Sequence, residues 1–128
     1  MTPAELDDLL KPPSDAEVER ALARFAADVR RHYGDRLKGL YLFGSRARGD
    51  HSPESDADVA VILNVGDWEE WIERRALNGL AYEAGLESGL DIQPWPFPDA
   101  RWEVADSQPE TRLLGAARRD AVPMEIEP

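Results

Sequence analysis

Gly44-Ser45 and, after ten intervening residues, Asp56-Ala57-Asp58 are the residues whose types and spacing could do chemistry in this chain. A glycine lets a phosphate approach the backbone closely, because no Cβ stands in the way. The serine adds a hydroxyl donor, and a helical turn begun at residues 45–49 would aim its free N–H groups at the same anion. In a strand, side chains two apart share a face, so Asp56 and Asp58 project together beside that turn. Magnesium takes one or two carboxylates and completes its octahedron with substrate phosphates and water. Without a cation, two carboxylates so placed repel, and one takes up a proton. Together these residues describe a site for a nucleoside triphosphate and its magnesium. Each half also has a plainer reading. Gly-Ser ends many strands as a simple turn, and the two aspartates could be solvated loop acids.

Asp91 is a third candidate. It stands near the start of an apolar run, Leu90-Asp91-Ile92-Gln93, where a strand disfavours aspartate. If strands 58–63 and 90–93 are neighbours, Asp91 lies beside Asp58. There it would bind a metal ion and could take the proton from an attacking hydroxyl. Its plain alternative is a strand-end acid facing water.

The elements that must position these residues follow from the pattern. Residues 3–10 suit a short helix carrying Leu6, Leu9 and Leu10, stopped by Pro12-Pro13. Ser14 and Glu17 form a capping box, followed by Val18, Leu22, Phe25 and Val29 at helical spacing. Gly34 closes that helix in a left-handed cap. Leu37 to Phe43 is apolar on both faces and suits a strand in a sheet covered on both sides. Residues 45–55 read as a helical turn and loop, 58–63 as a β-branched strand, and 64–67 as a turn with Asp67 capping the next helix. That helix, about 68–84, places Trp68, Trp71, Ile72, Ala76, Leu80 and Ala84 on one stripe expected to face the core. A third strand begins at Leu90 and is expected to break at Pro94, Pro96 and Pro98. A last helix near 109–119 starts at Pro109 and precedes a short segment from Val122 to Ile126. The order predicts an α/β domain with a small mixed sheet of three to four strands flanked by helices.

With 128 residues, the chain is expected to form one domain over 1–128. Its core spans about 36–95, with N-terminal helices over 3–34 and a C-terminal helix and tail over 108–128. Fifteen Lys and Arg against 26 Asp and Glu give a net charge of −11. That surface repels a polyanion, so no extended nucleic-acid binding is expected. It either serves solubility or suits a basic protein partner. The absence of cysteine excludes disulfides, thiolate metal sites and a thiol nucleophile. The acidic start lacks the pattern of a secretory signal, and no apolar run approaches a membrane span. A cytoplasmic location is the expectation.

Among other residues, His51 reads as an exposed loop histidine, and His32 as a favourable charge at a helix C-terminus. Trp95, Phe97 and Trp102 are either a partner surface or packing over the edge of the core. Arg112, Arg118 and Arg119 read as a solvated helix face.

The segments Phe43-Gly44-Ser45-Arg46-Ala47-Arg48-Gly49-Asp50 and Ser55-Asp56-Ala57-Asp58-Val59-Ala60-Val61 closely resemble the minimal nucleotidyltransferases of the DNA polymerase β-like superfamily. The resemblance covers about residues 36–95. It implies the α+β nucleotidyltransferase fold, two Mg²⁺ ions, and ATP as co-substrate. Gly44 and Ser45 would hold the triphosphate, and Asp56 and Asp58 the metals. Asp91 would be the third carboxylate, Arg48 matches an Ala-Arg-Gly segment near phosphate, and Arg46 is a further candidate phosphate ligand. Where relatives often end in a Gly-Val pair, this chain has Ala121-Val122. Stand-alone forms of this size resemble antitoxins whose partner is a HEPN-family ribonuclease toxin. The function implied is transfer of AMP to a tyrosine hydroxyl of that toxin, with pyrophosphate released. Two alternatives stay open: a small-molecule nucleotidyltransferase completed by a second subunit, and an antitoxin that neutralises its partner by binding alone.

Overall fold

The capping box forms as the sequence predicts: Ser14 Oγ accepts from the Glu17 N–H, and Glu17 Oε1 accepts from the Ser14 N–H. It starts α1 (Asp15–Tyr33), whose Val18, Ala21, Phe25, Ala26 and Val29 are buried. The structure is a computed structural model and describes residues 2–3, 11–64, 69–103 and 112–124. The helix expected over 3–10 lies, beyond Pro3, outside the described residues. So do Asp67, Trp68, the start of the last helix at Pro109, and Ile126. Gly34 ends α1 with φ 56° but ψ −128°, a bend outside the expected left-handed helical region.

From there the chain runs through β1 (Leu37–Phe43), α2 (Ser45–Arg48), β2 (Ala57–Leu63), α3 (Glu70–Gly85), β3 (Ile92–Pro98), α4 (Asp99–Glu103), α5 (Arg112–Asp120) and β4 (Val122–Pro123). The four strands form one sheet in the order β3-β2-β1-β4. β1 is antiparallel to both β2 and β4, whereas β3 runs parallel to β2. The sheet is therefore mixed, with β2 buried along nearly its whole length.

Both faces are covered. Leu40, Val59, Val61 and Leu63 pack on one face with Phe25 and Val29 of α1 and Leu77 and Ala81 of α3. Phe43, Ala60 and Ile62 pack on the other with Trp102 of α4 and Leu114 and Ala117 of α5. Each large apolar side chain so buried contributes on the order of 1.5–3 kcal/mol. Trp95 and Phe97 join that second cluster, and Trp102 stacks on Tyr41 at 5.1 Å, so these aromatics pack the core. Arg118 lies over the Trp102 ring at 5.5 Å. His32 and His51 are exposed.

Two further expectations are corrected. The prolines do not break the third strand: β3 runs through Pro94, Pro96 and Pro98. The carbonyl of Asp91 accepts from the Ala57 N–H on β2. By alternation, Gln93, Trp95 and Phe97 turn their backbone groups the same way, and the prolines face the open edge. An edge strand tolerates proline there because no ladder bond is lost, and the edge is blunted against further pairing.

The second correction concerns α3. Its buried face is Glu73, Leu77, Ala81, Ala84 and Gly85, whereas Trp71 is 63% and Ile72 46% exposed. The helix is turned by about one residue, roughly 100°, from the stripe expected. Glu73 occupies a core position because Arg36 Nη2 donates to its Oε2 at 2.7 Å and Tyr33 Oη to its Oε1 at 3.4 Å. Burial, reinforced by the charge of Glu73, pushes the Tyr33 phenol well above its usual range.

Candidate active site

The register of the sheet sets the site. Phe43, the last residue of β1, pairs with Asp58, and Asp58 pairs across the parallel ladder with Gln93. Paired residues point to the same face, and residues two apart on one strand do too. Asp58, Gln93 and Asp91 therefore share the face on which Tyr41 and Phe43 lie. Gln93 Nε2 donates to Asp91 Oδ1 at 2.8 Å, which fixes the third carboxylate at the end of the parallel pair. Beneath it, the α3–β3 turn is tight: any side chain at Gly85 would run into the Leu90 carbonyl.

Gly44 has φ 76° and ψ −155°, a combination nearly restricted to glycine. It turns the chain from β1 into α2, whose Ala47 and Arg48 N–H groups donate back to the Gly44 carbonyl at 3.1 Å. The first N–H groups of such a turn have no acceptor within it. Ser45, at that same end, is half-buried. The turn abuts the carboxylate: a Cβ on Gly44 would stand 2.7 Å from Asp58 Oδ2.

Asp58 is half-buried, while Asp56 and Asp91 are exposed. Burial raises the Asp58 carboxyl above the usual range, and the charges of Asp56 and Asp91 raise it further. The Trp95 indole N–H, donating to Asp58 Oδ1 at 3.4 Å, and the charge of Arg48 oppose that rise. Trp95 is in turn covered by the Arg74 guanidinium, 5.2 Å from the ring centroid.

The two arginines are both engaged. Arg46 donates from Nε to the Ser55 carbonyl at 2.9 Å and from Nη2 to the Pro53 carbonyl at 3.2 Å. It thereby ties α2 to the loop leading into Asp56. Arg48 pairs with Asp50 at 3.1 Å and with Asp120 of α5 at 2.7 Å. The Trp95 and Arg74 contacts and the Arg46 tie were not anticipated. The alternation of tryptophan with prolines on β3 was the signal for Trp95, since it puts that ring on the Asp58 face.

No three His, Cys, Asp or Glu side chains among the described residues form a ready-made metal cage. The donor set fits magnesium nonetheless. A carboxylate whose charge is disfavoured by burial and by two like charges is relieved by a cation. Magnesium, moreover, needs only one or two carboxylates when phosphates supply further oxygens.

Comparison with known proteins bears on the same region. Residues 22–127 match the family described as Nucleotidyltransferase domain. Two proteins of Methanocaldococcus jannaschii, both named as protein adenylyltransferases, are similar. One is 40% identical over 47 residues, 37% of this chain and 47% of that protein; the other is 31% identical over 78 residues, 61% of this chain and 77% of that protein. The chain thus spans about half the length of the first of these relatives. A crystal structure of a toxin-antitoxin with AMP-PNP superposes at a TM-score of 0.43 with 24% identity, over 58% of this chain and 56% of that one. The family match runs from within α1 through the whole sheet and includes every candidate site residue, and the chain belongs to the nucleotidyltransferase domain family.

Proposed function

We propose that this chain transfers AMP from ATP to a tyrosine hydroxyl of a HEPN-family ribonuclease toxin and so acts as its antitoxin. The observation that carries the nucleotidyl-transfer part is the abutment of the Gly44-Ser45 turn on Asp58, with Asp91 on the same face of the sheet. The protein acceptor is supported by the motif resemblance and by the names of the two relatives.

In this reading Ser45 and the N–H groups beside it bind the β- and γ-phosphates. Asp56, Asp58 and Asp91 would hold two Mg²⁺ ions, which supply charge neutralisation to the triphosphate and the attacking oxygen. Asp91 faces the acceptor hydroxyl and takes its proton. The acceptor oxygen forms a bond to the α-phosphorus as the bond to the bridging oxygen breaks, and pyrophosphate leaves with that electron pair. Trp95 holds the Asp58 carboxylate in orientation through its N–H. Arg46 keeps the 53–55 loop against α2, and Arg48 reaches phosphate after exchanging its aspartate partners.

The test is direct transfer. Purified chain is incubated with Mg²⁺, ATP labelled on the α-phosphate, and a HEPN-family ribonuclease drawn from the same genome. Label is expected on a tyrosine of the ribonuclease and is lost with Asp56→Ala. An unlabelled ribonuclease with both proteins sinks the reading.

A further inference from the structure

Two surface grooves meet at Asp91. The larger, about 650 Å³, runs between the Lys11–Pro13 approach to α1, the Pro53–Ser55 loop and the α3–β3 turn. The smaller, about 430 Å³, continues from the same turn along α3 past Tyr82 and Asn78 to Gln93. Leu86, Gly89, Leu90 and Asp91 line both, so the two adjoin as one trough that borders the candidate carboxylate Asp91.

The walls of this trough have a definite chemistry. Glu17, Glu54, Glu87 and Asp91 line the larger groove, with Lys11 the one cation among its described lining residues. Arg20 acts on Glu17 from the neighbouring groove. The smaller groove has an apolar rim: Tyr82 is 68% and Leu86 61% exposed. Large apolar side chains grouped beside a site and left exposed among the described residues mark a surface that contacts another molecule. The two arginines of α2 do not offset this charge: Arg46 is bonded to the Pro53 and Ser55 carbonyls and Arg48 is paired with Asp50 and Asp120. Acidic side chains therefore predominate along the trough.

We propose that the trough seats the acceptor as an extended polypeptide segment of a protein partner. Its reacting hydroxyl lies at Asp91, basic side chains flank it against Glu54 and Glu87, and an apolar side chain sits on Tyr82 and Leu86. This rests on the reading that Asp91 faces the acceptor, and it adds what the acceptor must look like. Charge complementarity of this kind selects partners and speeds their encounter, and the chain's net charge of −11 acts in the same direction.

Binding of fluorescent peptides without nucleotide separates this inference from the transfer reaction. One peptide carries a tyrosine and a leucine between lysines; its counterpart has glutamates in place of the lysines. At low salt the lysine-flanked peptide is expected to bind at least tenfold tighter. The Glu54→Lys, Glu87→Lys double variant removes that preference, and Tyr82→Ala with Leu86→Ala weakens the lysine-flanked peptide severalfold. Glu19→Lys with Glu103→Lys, which changes the net charge equally but lines neither groove, leaves the preference standing. All four substituted acids are at the surface, so circular dichroism is expected to show native folds. Equal binding of the two peptides overturns the proposal, as does a preference that follows net charge in both double variants. Sedimentation showing a dimer that Leu86→Ala dissolves overturns it too, because the trough would then hold a second copy. An unlabelled ribonuclease alongside an intact peptide preference sinks the transfer reading and leaves the trough.

Discussion

Gly44 and Asp58 are in contact: a Cβ added to the glycine would stand 2.7 Å from the Oδ2 of the aspartate. The backbone there, at φ 76° and ψ −155°, costs any other residue about 1–3 kcal/mol. Gly44→Ala is therefore expected to lower stability by about that amount and to push the Asp58 carboxylate from its place. Because each displaced metal or phosphate ligand acts on the reaction itself, nucleotidyl transfer should fall by at least about a hundredfold. Thermal unfolding and initial rates measured on the same preparation check this; a variant that keeps its rate shows that the contact plays no part in the reaction.

Asp58 places function and stability in opposition. Its carboxyl is held above the ordinary range by burial first, and then by Asp56 and Asp91. An acid with a folded value above its unfolded value binds a proton more tightly when folded. In the absence of divalent cation, its contribution is most favourable below the unfolded value and is lost as pH rises through the folded one. Asp58→Asn, which cannot ionise, should thus be slightly more stable than the parent at neutral pH in EDTA. The gain is under about 1 kcal/mol, since solvent reaches the site and screens it. The advantage should shrink as pH falls toward 4, roughly the ordinary aspartate range. Transfer activity should be abolished throughout. Parallel melts with EDTA and with Mg²⁺ decide the matter: magnesium should stabilise the parent and leave Asp58→Asn unchanged.

Arg36 and Glu73 form an ion pair at 2.7 Å in which the glutamate side chain is 6% exposed and the arginine 42%. The two partners are therefore unequal. Removing Arg36 leaves a carboxylate in the core with the Tyr33 hydroxyl as its remaining partner among the described residues, whereas removing Glu73 leaves a guanidinium that water can reach. Breaking a fully buried pair costs about 3–5 kcal/mol, and replacing it with an apolar residue is often neutral. Arg36→Ala should cost about 2 kcal/mol, less than the full range because Arg36 is partly solvated. Glu73→Met should cost under about 1 kcal/mol. Urea denaturation of the two variants tests the order; equal losses would mean that the pair is not what holds Glu73 inside.

The same pair shows where the sequence was legible and where it was not. The capping box, the two central strands and the Gly-Ser turn could be read because each rests on a local rule: a cap, a short apolar or β-branched run, a glycine after an apolar run. The face of α3 could not, since an exposed Trp71 and a buried Glu73 invert the simple rule that apolar residues go inside. Arg36, 37 positions away, and Tyr33, 40 positions away, make the glutamate acceptable there. The run of prolines on β3 misled for a related reason. Whether proline breaks a strand depends on which edge is free, and that is decided by pairing with β2. For the site, the close spacing of Asp56 and Asp58 is visible in the sequence, whereas the strand itself starts only at Ala57, so Asp56 lies just before it. That Asp91 lies on the same face needed the parallel register, and the partners of Arg46 and Arg48 needed the tertiary structure.

Arg48 is held by Asp120 at 2.7 Å and Asp50 at 3.1 Å, so a triphosphate must compete with two carboxylates for the same guanidinium. If Arg48 is a phosphate ligand, weakening that competition should strengthen nucleotide binding. Asp120→Asn removes one competing charge. An exposed pair of this kind is worth about 0.2–1 kcal/mol, so the dissociation constant for a non-hydrolysable ATP analogue with Mg²⁺ should fall by up to about fivefold. Arg48→Ala should raise it by about tenfold, the loss of one charge-assisted contact. The double variant should match Arg48→Ala alone, because Asp120 acts only through the arginine. Asp120 also joins α5 to α2 through this pair, so a fall in melting temperature of a few degrees is expected beside the gain in affinity. Calorimetric titration of the four proteins distinguishes the cases. Unchanged affinity in Arg48→Ala would assign Arg48 to holding α5 against α2, and would leave the phosphates to Ser45 and the turn it begins.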